Sequence, residues 1–587
     1  MAYLFLFKYM FFFNFDFLKE NGIIYNFFML RTMENYLLVR CINTGATKKI
    51  IKGNTLAQAS DAFKVKLDNP ILGAIVNNVL EDLSFELYHP KIVKFIDITH
   101  PDGYRMYTRS LSYVLVKAVN DLYPNALLRI KHSISKGIYC EVNNMKIADK
   151  DQLLVDIKTK MLEIVKADIP FKFIEEETEE VIKKFESLGF LDKKELLIDS
   201  GENYTEYYKL GEQINSFFGC LVPSTGYLKT FDINPYYNGF LMRLPMKKNP
   251  SQLEPLVMQD KLYEIFREHS DWNKILEVPN VNDLNFACEN GRSERLIKVS
   301  EALQEKKIGQ IADAITDRSQ NIKIVMISGP SSSGKTTFAK RLAVHLMVNG
   351  KKPLNISLDN YFLDRDNTPL DENGDHDYEA IDAIDIQSFN QNLVSLLNGE
   401  KIGLPKFSFE TGTRYYNGEF MQLLPENILI IEGIHALNPK ITEVLATEQM
   451  FKIYVSALTS INLDNHNRIS TTDNRLIRRI IRDYRYRHNT PAATIARWQS
   501  VISGEEKHIF PYQEEANVMF NSAHIYELAV LKPFLEPILH EIQPNQTEYS
   551  EASRLLKFMS YIKPLKIKEV PPTSILREFL GGSSFTY

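Results

Sequence analysis

At 587 residues, with 44% hydrophobic and 24% charged side chains, the chain is too long for one hydrophobic core, and several domains are expected. A formal net charge of -5 argues against a protein that coats nucleic acid, although it leaves a local basic surface open and says nothing about a small phosphorylated ligand. The four cysteines, Cys41, Cys140, Cys220 and Cys288, are far apart and form no C-x-x-C pair, which argues against a disulfide scaffold or a zinc cluster and fits a reducing cytoplasm.

Residues 1–32 are aromatic-rich, but Lys8, Asp16, Lys19 and Glu20 interrupt any span of about 18 to 20 apolar residues, so no membrane helix is expected. The order of features is not that of a signal peptide. The Phe, Asn, Tyr, Lys and Ile bias is that of translated AT-rich DNA, and 1–32 reads as a non-native extension, with the working start at Met29 or Met33. From Tyr36 to about Thr99 the pattern is short and β-rich: YLLVRCI, a turn at Asn43 to Gly45, KKIIKG, a helix predicted over 56–66, then ILGAIVNN and LSFELY as strands. A ubiquitin-like β-grasp over 33–98 is the expected fold.

Residues 102–120 turn helical, and ALLRIKHSISKGIYCEV has strand-like spacing. The stretch 151–190 is charged and helical, with EEETEEVIKKFESL as a solvated face held by i to i+4 pairs, and an irregular aromatic-rich run over 204–244 closes an α+β domain spanning 99–247. Residues 248–320 read as a helical connector packed on its neighbours.

The segment KIVMISGPSSSGKTT, 323–337, carries the most information. It matches G-x-x-x-x-G-K-[ST] between an apolar run and a helical pattern, the setting in which that motif cradles phosphate. Glycines let the backbone wrap an anion, N–H groups point inward, and the helix start carries partial positive charge. Gly329, Ser331, Ser332, Ser333, Gly334, Lys335, Thr336 and Thr337 are therefore the candidate nucleotide-binding residues. Lys335 would reach the β- and γ-phosphates of ATP, and the Thr336 hydroxyl would join the shell of Mg²⁺.

After the P-loop strand, PLNISLD, ILIIEG, FKIYVS and AHIYELAVL read as buried strands separated by helices, so 321–587 is expected to be a doubly wound parallel α/β domain of P-loop type. Two of these strands end in carboxylates: Asp359 is the candidate base, within reach of the metal, and Glu432 the candidate metal-side carboxylate. Each could instead merely cap the following turn. Further on, TDNRLIRRIIRD predicts a helix with Arg475, Arg478, Arg479 and Arg482 on one face and Leu476, Ile477, Ile480 and Ile481 on the other. Four arginines in two turns, little relieved by acids, suit a lid over the triphosphate, with Arg478 the catalytic candidate and Arg475 and Arg479 on the nucleotide. A solvated basic face or an RNA-facing patch would also give such a run, the latter with little aromatic interleaving to stack bases.

GPSSSGKTT, LDNYF, DHDYEAIDAID, LPKFSFETGTR, IIEGIHAL and DNRLIRRIIRD, in that order over about 321–535, resemble uridine kinase and its phosphoribulokinase relatives. The resemblance implies ATP- and Mg²⁺-dependent phosphorylation of a nucleoside 5′-hydroxyl, with Asp359 as base, Thr336, Glu432 and Asp359 near the metal, and Tyr361, Tyr378, Asp382, Phe407, Arg414 and Arg475 on the substrate. Gly412 stands where uridine kinases carry a base-contacting histidine, which leaves the nucleoside, or another small alcohol, open.

The N-terminal half, about 36–245, resembles the leading domains of threonyl-tRNA synthetase: a TGS-like domain and the second additional domain used for editing. Where that family places H-x-x-x-H and C-x-x-x-H, this chain has Arg109 and Tyr113, then Phe217 and Leu221, so editing is not expected and the fold is read as a binding or regulatory module for tRNA or an amino acid. His132, the remaining nearby histidine, reads as structural. The expected protein is a cytoplasmic homo-oligomeric nucleoside kinase without membrane contact. The competing readings are a nucleotide-gated RNA or amino-acid sensor and a kinase of another alcohol.

Overall fold

The computed structural model describes residues 35–144, 150–317, 322–371, 374–443 and 445–586. The extension over 1–32, both proposed start sites and the junction at 320–321 lie outside the described residues.

Strands β1 (Tyr36–Cys41) and β2 (Thr47–Ile51), helix α1 (Leu56–Phe63), and strands β3 (Gly73–Val76), β4 (Val79–Asp82) and β5 (Lys91–Ile96) form a five-stranded sheet in the order β2-β1-β5-β3-β4. Strict alternation buries Leu37, Val39 and Cys41 of β1 against α1. A capping box between Thr55 and Gln58 starts α1, and Lys64 in the left-handed conformation caps it after Phe63, three residues short of the predicted end. The stretch LSFELY is not a strand. Its Leu83 and Phe85 carbonyls accept from the free N–H groups of Ala57 and Leu56 at 3.0 and 2.9 Å, so it satisfies the helix start instead of the sheet.

Next come α2 (Pro101–Leu122), β6 (Leu127–Ile134), β7 (Gly137–Asn143), α3 (Lys150–Lys166), β8 (Phe171–Glu177), α4 (Thr178–Ser187), α5 (Leu191–Ser200), β9 (Tyr204–Leu210), β10 (Gln213–Asn215), β11 (Asp232–Tyr236) and β12 (Gly239–Arg243). Two antiparallel sheets result, β11-β12-β7-β6 and β10-β9-β8, and α2 is buried along most of its length. The predicted charged helix starts only at Thr178, because Glu175, Glu176 and Glu177 pair across β9 with Glu206, Thr205 and Tyr204. Helices α6 (Asp260–Leu276), α7 (Val281–Glu289) and α8 (Ser293–Asp317) follow.

The remainder holds β13 (Ile324–Ser328), α9 (Lys335–Val348), β14 (Lys352–Ser357), α10 (Ile386–Leu397), a hairpin of β15 (Lys401–Ser408) and β16 (Thr413–Gln422), and β17 (Asn427–Glu432). These are followed by α11 (Pro439–Thr442), β18 (Met450–Ser456), α12 (Thr471–Tyr486), α13 (Pro491–Ala496), α14 (Trp498–His508), β19 (Val518–Asn521), α15 (Glu527–Leu539), α16 (Tyr549–Ser560) and α17 (Arg577–Leu580). Strands β14-β17-β13-β18-β19 make one parallel sheet. Central β13 is wholly buried, with Ile324 and Met326 in the core on one face and Val325 and Ile327 in the core on the other, which is why it reads as an unbroken apolar run. The fifth strand is VMFN, immediately before the predicted AHIYELAVL. That run starts helix α15 instead, where Leu528 to Leu531 are buried. A short apolar run does not by itself distinguish a strand from a buried helix.

The loop between β18 and α12 enters the domain built on α2. Asn462 Nδ2 donates to Ile130 O at 2.9 Å, Ile130 N donates to Asn465 O at 2.8 Å, and Lys193 Nζ meets Asp464 Oδ2 at 2.9 Å with both side chains buried. No helix among the described residues is long and apolar enough to cross a membrane.

Candidate active site

The P-loop runs from the end of β13 into α9. Gly329 has φ +153, and a Cβ there would fall 1.9 Å from Val455 O; Gly334, at φ +82, holds the position before α9 in the left-handed region. Ser332 and Ser333 are buried, and neither hydroxyl has a protein partner. Lys335 Nζ folds back onto Pro330 O at 3.1 Å. Burial lowers the pKa of this ammonium, against the opposing pull of Glu432 and Asp359. The loop already holds carboxylate oxygens. Ser331 N donates to Glu505 Oε1 at 3.1 Å, and Thr337 N and Oγ1 donate to Glu578 Oε2 at 3.4 and 2.6 Å. These donors thus bind anionic oxygen in this chain, as a phosphate cradle must.

Parallel register brings the carboxylates to the loop: Ile327 of β13 and Ser357 of β14 both pair with Glu432 at the end of β17. Asp359 follows β14 directly and is half-buried in a short turn whose N–H is taken by Ser357 Oγ at 3.3 Å. Thr336 Oγ1 lies 3.4 Å from Glu432 Oε1. Burial, and then repulsion by Asp359, push Glu432 up to about 7, with Lys335 opposing. A hydroxyl and one or two carboxylates are the donor set by which Mg²⁺ is held when substrate phosphates complete its shell. Among the described residues, no group of three or more His, Cys, Asp and Glu could hold a metal unaided, so Thr336 and Glu432, with Asp359 nearby, fit only that shared arrangement.

Helix α12 does not present a solvated basic face. Leu476, Ile477, Ile480 and Ile481 are buried as its sequence predicts, and so are Arg475 and Arg478. Arg475 and Arg478 are met by acids of other elements, whereas Asp483 of α12 itself lies 3.3 Å from Arg479. Arg475 pairs with Glu505 and donates through Nε to Ser331 O at 3.1 Å. Arg479 Nη1 donates to Ser331 Oγ at 3.0 Å and lies 3.8 Å from Glu379. Arg482 pairs with Asp483 at 2.8 Å. Arg478 is fully buried, bound by Glu527 at 2.6 Å and by Ser522 O at 3.0 Å, with Ser332 O at 3.5 Å. It is enclosed between the P-loop carbonyl of Ser332 and Glu527, and this burial runs against its expected catalytic position over the triphosphate.

On the acceptor side, Phe407 lies in an aromatic group with Phe362 and Phe409, at 5.7 and 5.3 Å between centroids, and Tyr378 lies under the Arg497 guanidinium at 4.8 Å. Arg414 is held by Asp385 at 2.9 Å. Two expected substrate residues turn elsewhere. Tyr361 is 1% exposed and packs on Phe389 with Asn392 on its hydroxyl, and Asp382 points outward to Lys440 at 3.0 Å. Gly412 has φ +71, and a Cβ there would meet Arg365 Nε at 2.7 Å, so the histidine's space is taken by Arg365. Glu379, Glu505, Glu578 and the buried His435 are not singled out by the sequence; Glu379 and His435 do lie within the kinase-like motifs, whereas Glu505 and Glu578 come from stretches without a pattern.

Glu379 gives a pH test. Burial pushes it up to about 7, with Arg479 opposing and Glu505 adding to the rise. Its folded pKa lies above that of an unfolded glutamate, so the folded protein binds an extra proton between about pH 4.5 and 7, and this group's contribution to stability falls as pH rises through that window. Glu379→Gln is expected to remove about one proton from the pH dependence of unfolding between pH 5 and 7, measured by urea titration at stepped pH; an unchanged slope would show that Glu379 is ionised throughout.

In the N-terminal half, Arg109, Tyr113, Phe217 and Leu221 do converge, but as packing. Tyr113 packs at a tilt against Phe217 at 5.2 Å and donates to Gln213 O at 2.7 Å, Arg109 donates to Cys220 O at 3.0 Å, and Leu221 is buried. His132 lies flat on Phe266 at 3.6 Å, and burial holds its pKa well below the ordinary range.

Residues 324–529 match the Phosphoribulokinase / Uridine kinase family. The N-terminal region matches threonine–tRNA ligases. That of Desulforamulus reducens is 28% identical over 193 residues, covering 33% of this chain and 30% of the ligase, and that of Clostridium kluyveri is 28% identical over 189 residues, covering 32% and 30%. The chain thus spans under a third of the length of these ligases. Among solved structures, a possible uridine kinase from Bacillus stearothermophilus aligns at 18% identity with a TM-score of 0.24, covering 36% of this chain and 97% of that one.

Proposed function

We propose that this chain is an ATP-dependent kinase of the uridine kinase type, transferring the γ-phosphate to a nucleoside 5′-hydroxyl, with the N-terminal modules, 33–98 and 99–247, as an attached regulatory unit. The reading rests on the matched segment 324–529 and, in the structure, on one observation: strand register brings Asp359, Glu432 and the Lys335–Thr336 pair together at the carboxyl ends of neighbouring strands. Asp359 takes the acceptor's proton, and Lys335 and the loop N–H groups hold the triphosphate in line. Thr336 and Glu432 would hold Mg²⁺ together with the substrate phosphates, and the ion would supply neutralisation of phosphate charge. The aromatic group at Phe407 offers stacking surface for a base, while Gly412 leaves the choice of base open.

The test is ADP release from ATP and Mg²⁺ against a panel of nucleosides and small alcohols, with Lys335→Ala as blank. Turnover that depends on a nucleoside is expected. Turnover with a different alcohol keeps the kinase and replaces the acceptor, and none with any acceptor moves the weight to a nucleotide-gated sensor. That second reading is favoured by the buried joint between Lys193 and the loop before α12, and it expects tRNA or amino-acid binding to change with nucleotide.

A further inference from the structure

The matched family segment ends at 529, yet residues 571–586 return to the P-loop. Ile575 is fully buried, and its Cγ2 lies 2.4 Å from where a Cβ on Gly334 would sit. Glu578 takes the Thr337 N–H and hydroxyl, Phe579 lies under the Arg478 guanidinium at 5.0 Å, and the Thr586 carbonyl accepts from Lys340. Gly581 and Gly582, at φ +81 and +70, turn the chain between Glu578 and the Thr586 carbonyl, so that both ends of the segment meet α9.

From this arrangement we infer that 571–586 is a nucleotide-displaced strap: Glu578 holds a phosphate-facing donor of α9, so strap docking and ATP binding exclude each other. The inference rests on the kinase reading for the identity of the displacing ligand. An N–H at the first turn of a P-loop helix is a phosphate donor, and it cannot serve a carboxylate and a phosphate at once. Charge points the same way. The Glu578 carboxylate acts on Lys335, Glu432 and Arg482, in a cleft that already holds Asp359, Glu379 and Glu505. A triphosphate added to that set meets repulsion that departure of the strap relieves. A carboxylate at a helix start is also an ordinary cap. A mere cap, however, stays in place when nucleotide binds.

Two measurements on the full chain separate these cases. Equilibrium binding of a fluorescent ATP analogue with Mg²⁺ is expected to be about tenfold tighter for Glu578→Gln than for the unsubstituted protein. Hydrogen exchange of the Phe579, Leu580 and Gly581 amides, which are bonded to the carbonyls of Leu576, Leu576 and Arg577 in the docked strap, is expected to rise when ATP is added to the unsubstituted protein. Unchanged or weaker binding by the variant overturns the strap, as does exchange that slows or stays constant with ATP, and either result leaves the kinase reading intact. Absence of ATP binding to both proteins overturns the kinase reading and the strap together.

Discussion

Asp359→Asn is expected to reduce turnover by about 10²- to 10⁴-fold, the range contributed by a positioned general base, while the protein stays folded and binds ATP at least as well as before. The substitution keeps the side chain's size, and the turn that holds it depends on the backbone N–H and Ser357 Oγ rather than on the carboxylate. What is lost is the acceptor for the substrate proton. Removing one negative charge beside Lys335 and Glu432 also relieves repulsion toward a triphosphate, so the ATP dissociation constant should stay level or fall. Lys335→Ala should differ in kind: it removes a phosphate contact, so binding and turnover decline together. Steady-state kinetics with an acceptor found by the panel, alongside nucleotide titration, reads both patterns. A folded Asp359→Asn protein with turnover within a few-fold of the unsubstituted one removes the base assignment and transfers the role to another carboxylate of the cleft.

Much of this site is legible in the sequence because its chemistry is local along the chain. A phosphate cradle needs glycine at Gly329 and Gly334 for backbone reasons, and a buried parallel strand announces itself as IVMIS, so eight consecutive residues and their context identify the loop. Asp359 and Glu432 stand out for the same reason, since each terminates an apolar run. What is not legible is the pairing of charges across elements. Arg475 and Arg478 look unrelieved in their own helix because Glu505 and Glu527 come from α14 and the start of α15. Arg478 therefore reads from sequence as reaching outward, whereas burial and Glu527 hold it inward. Strand β19 escapes notice because VMFN is only four residues, and the longer apolar run beside it draws the assignment. Tyr361 is misplaced because a motif gives a residue's position along the chain and not the side of the turn on which its ring lies.

The second large effect is on stability. Lys193→Met should destabilise the folded chain by about 3 to 5 kcal/mol, the cost of leaving a buried charge without its partner. Lys193 and Asp464 are 1% and 0% exposed, and the ammonium also donates to Ser216 O at 3.2 Å. Burial alone would push Asp464 up, but Lys193, His466 and the donors around it outweigh that and hold the carboxyl below the usual range. Asp464 also binds the backbone. Its Oδ1 accepts from the N–H groups of His466 and Asn467 at 2.8 and 2.9 Å, which shapes the loop leading into α12. An asparagine keeps those two bonds without the charge. Lys193→Met with Asp464→Asn should therefore recover most of what the single change loses, and the difference between the two in urea unfolding separates charge burial from packing. Equal destabilisation by the single and double variants would instead assign the loss to the methionine's fit. The joint also bears on function, because this loop is the direct covalent lead into the helix that carries Arg475 and Arg479 to Ser331. A charge stranded at position 464 should loosen that helix, so the single variant is expected to bind ATP more weakly than the double, a coupling that an N-terminal unit attached only passively would not produce.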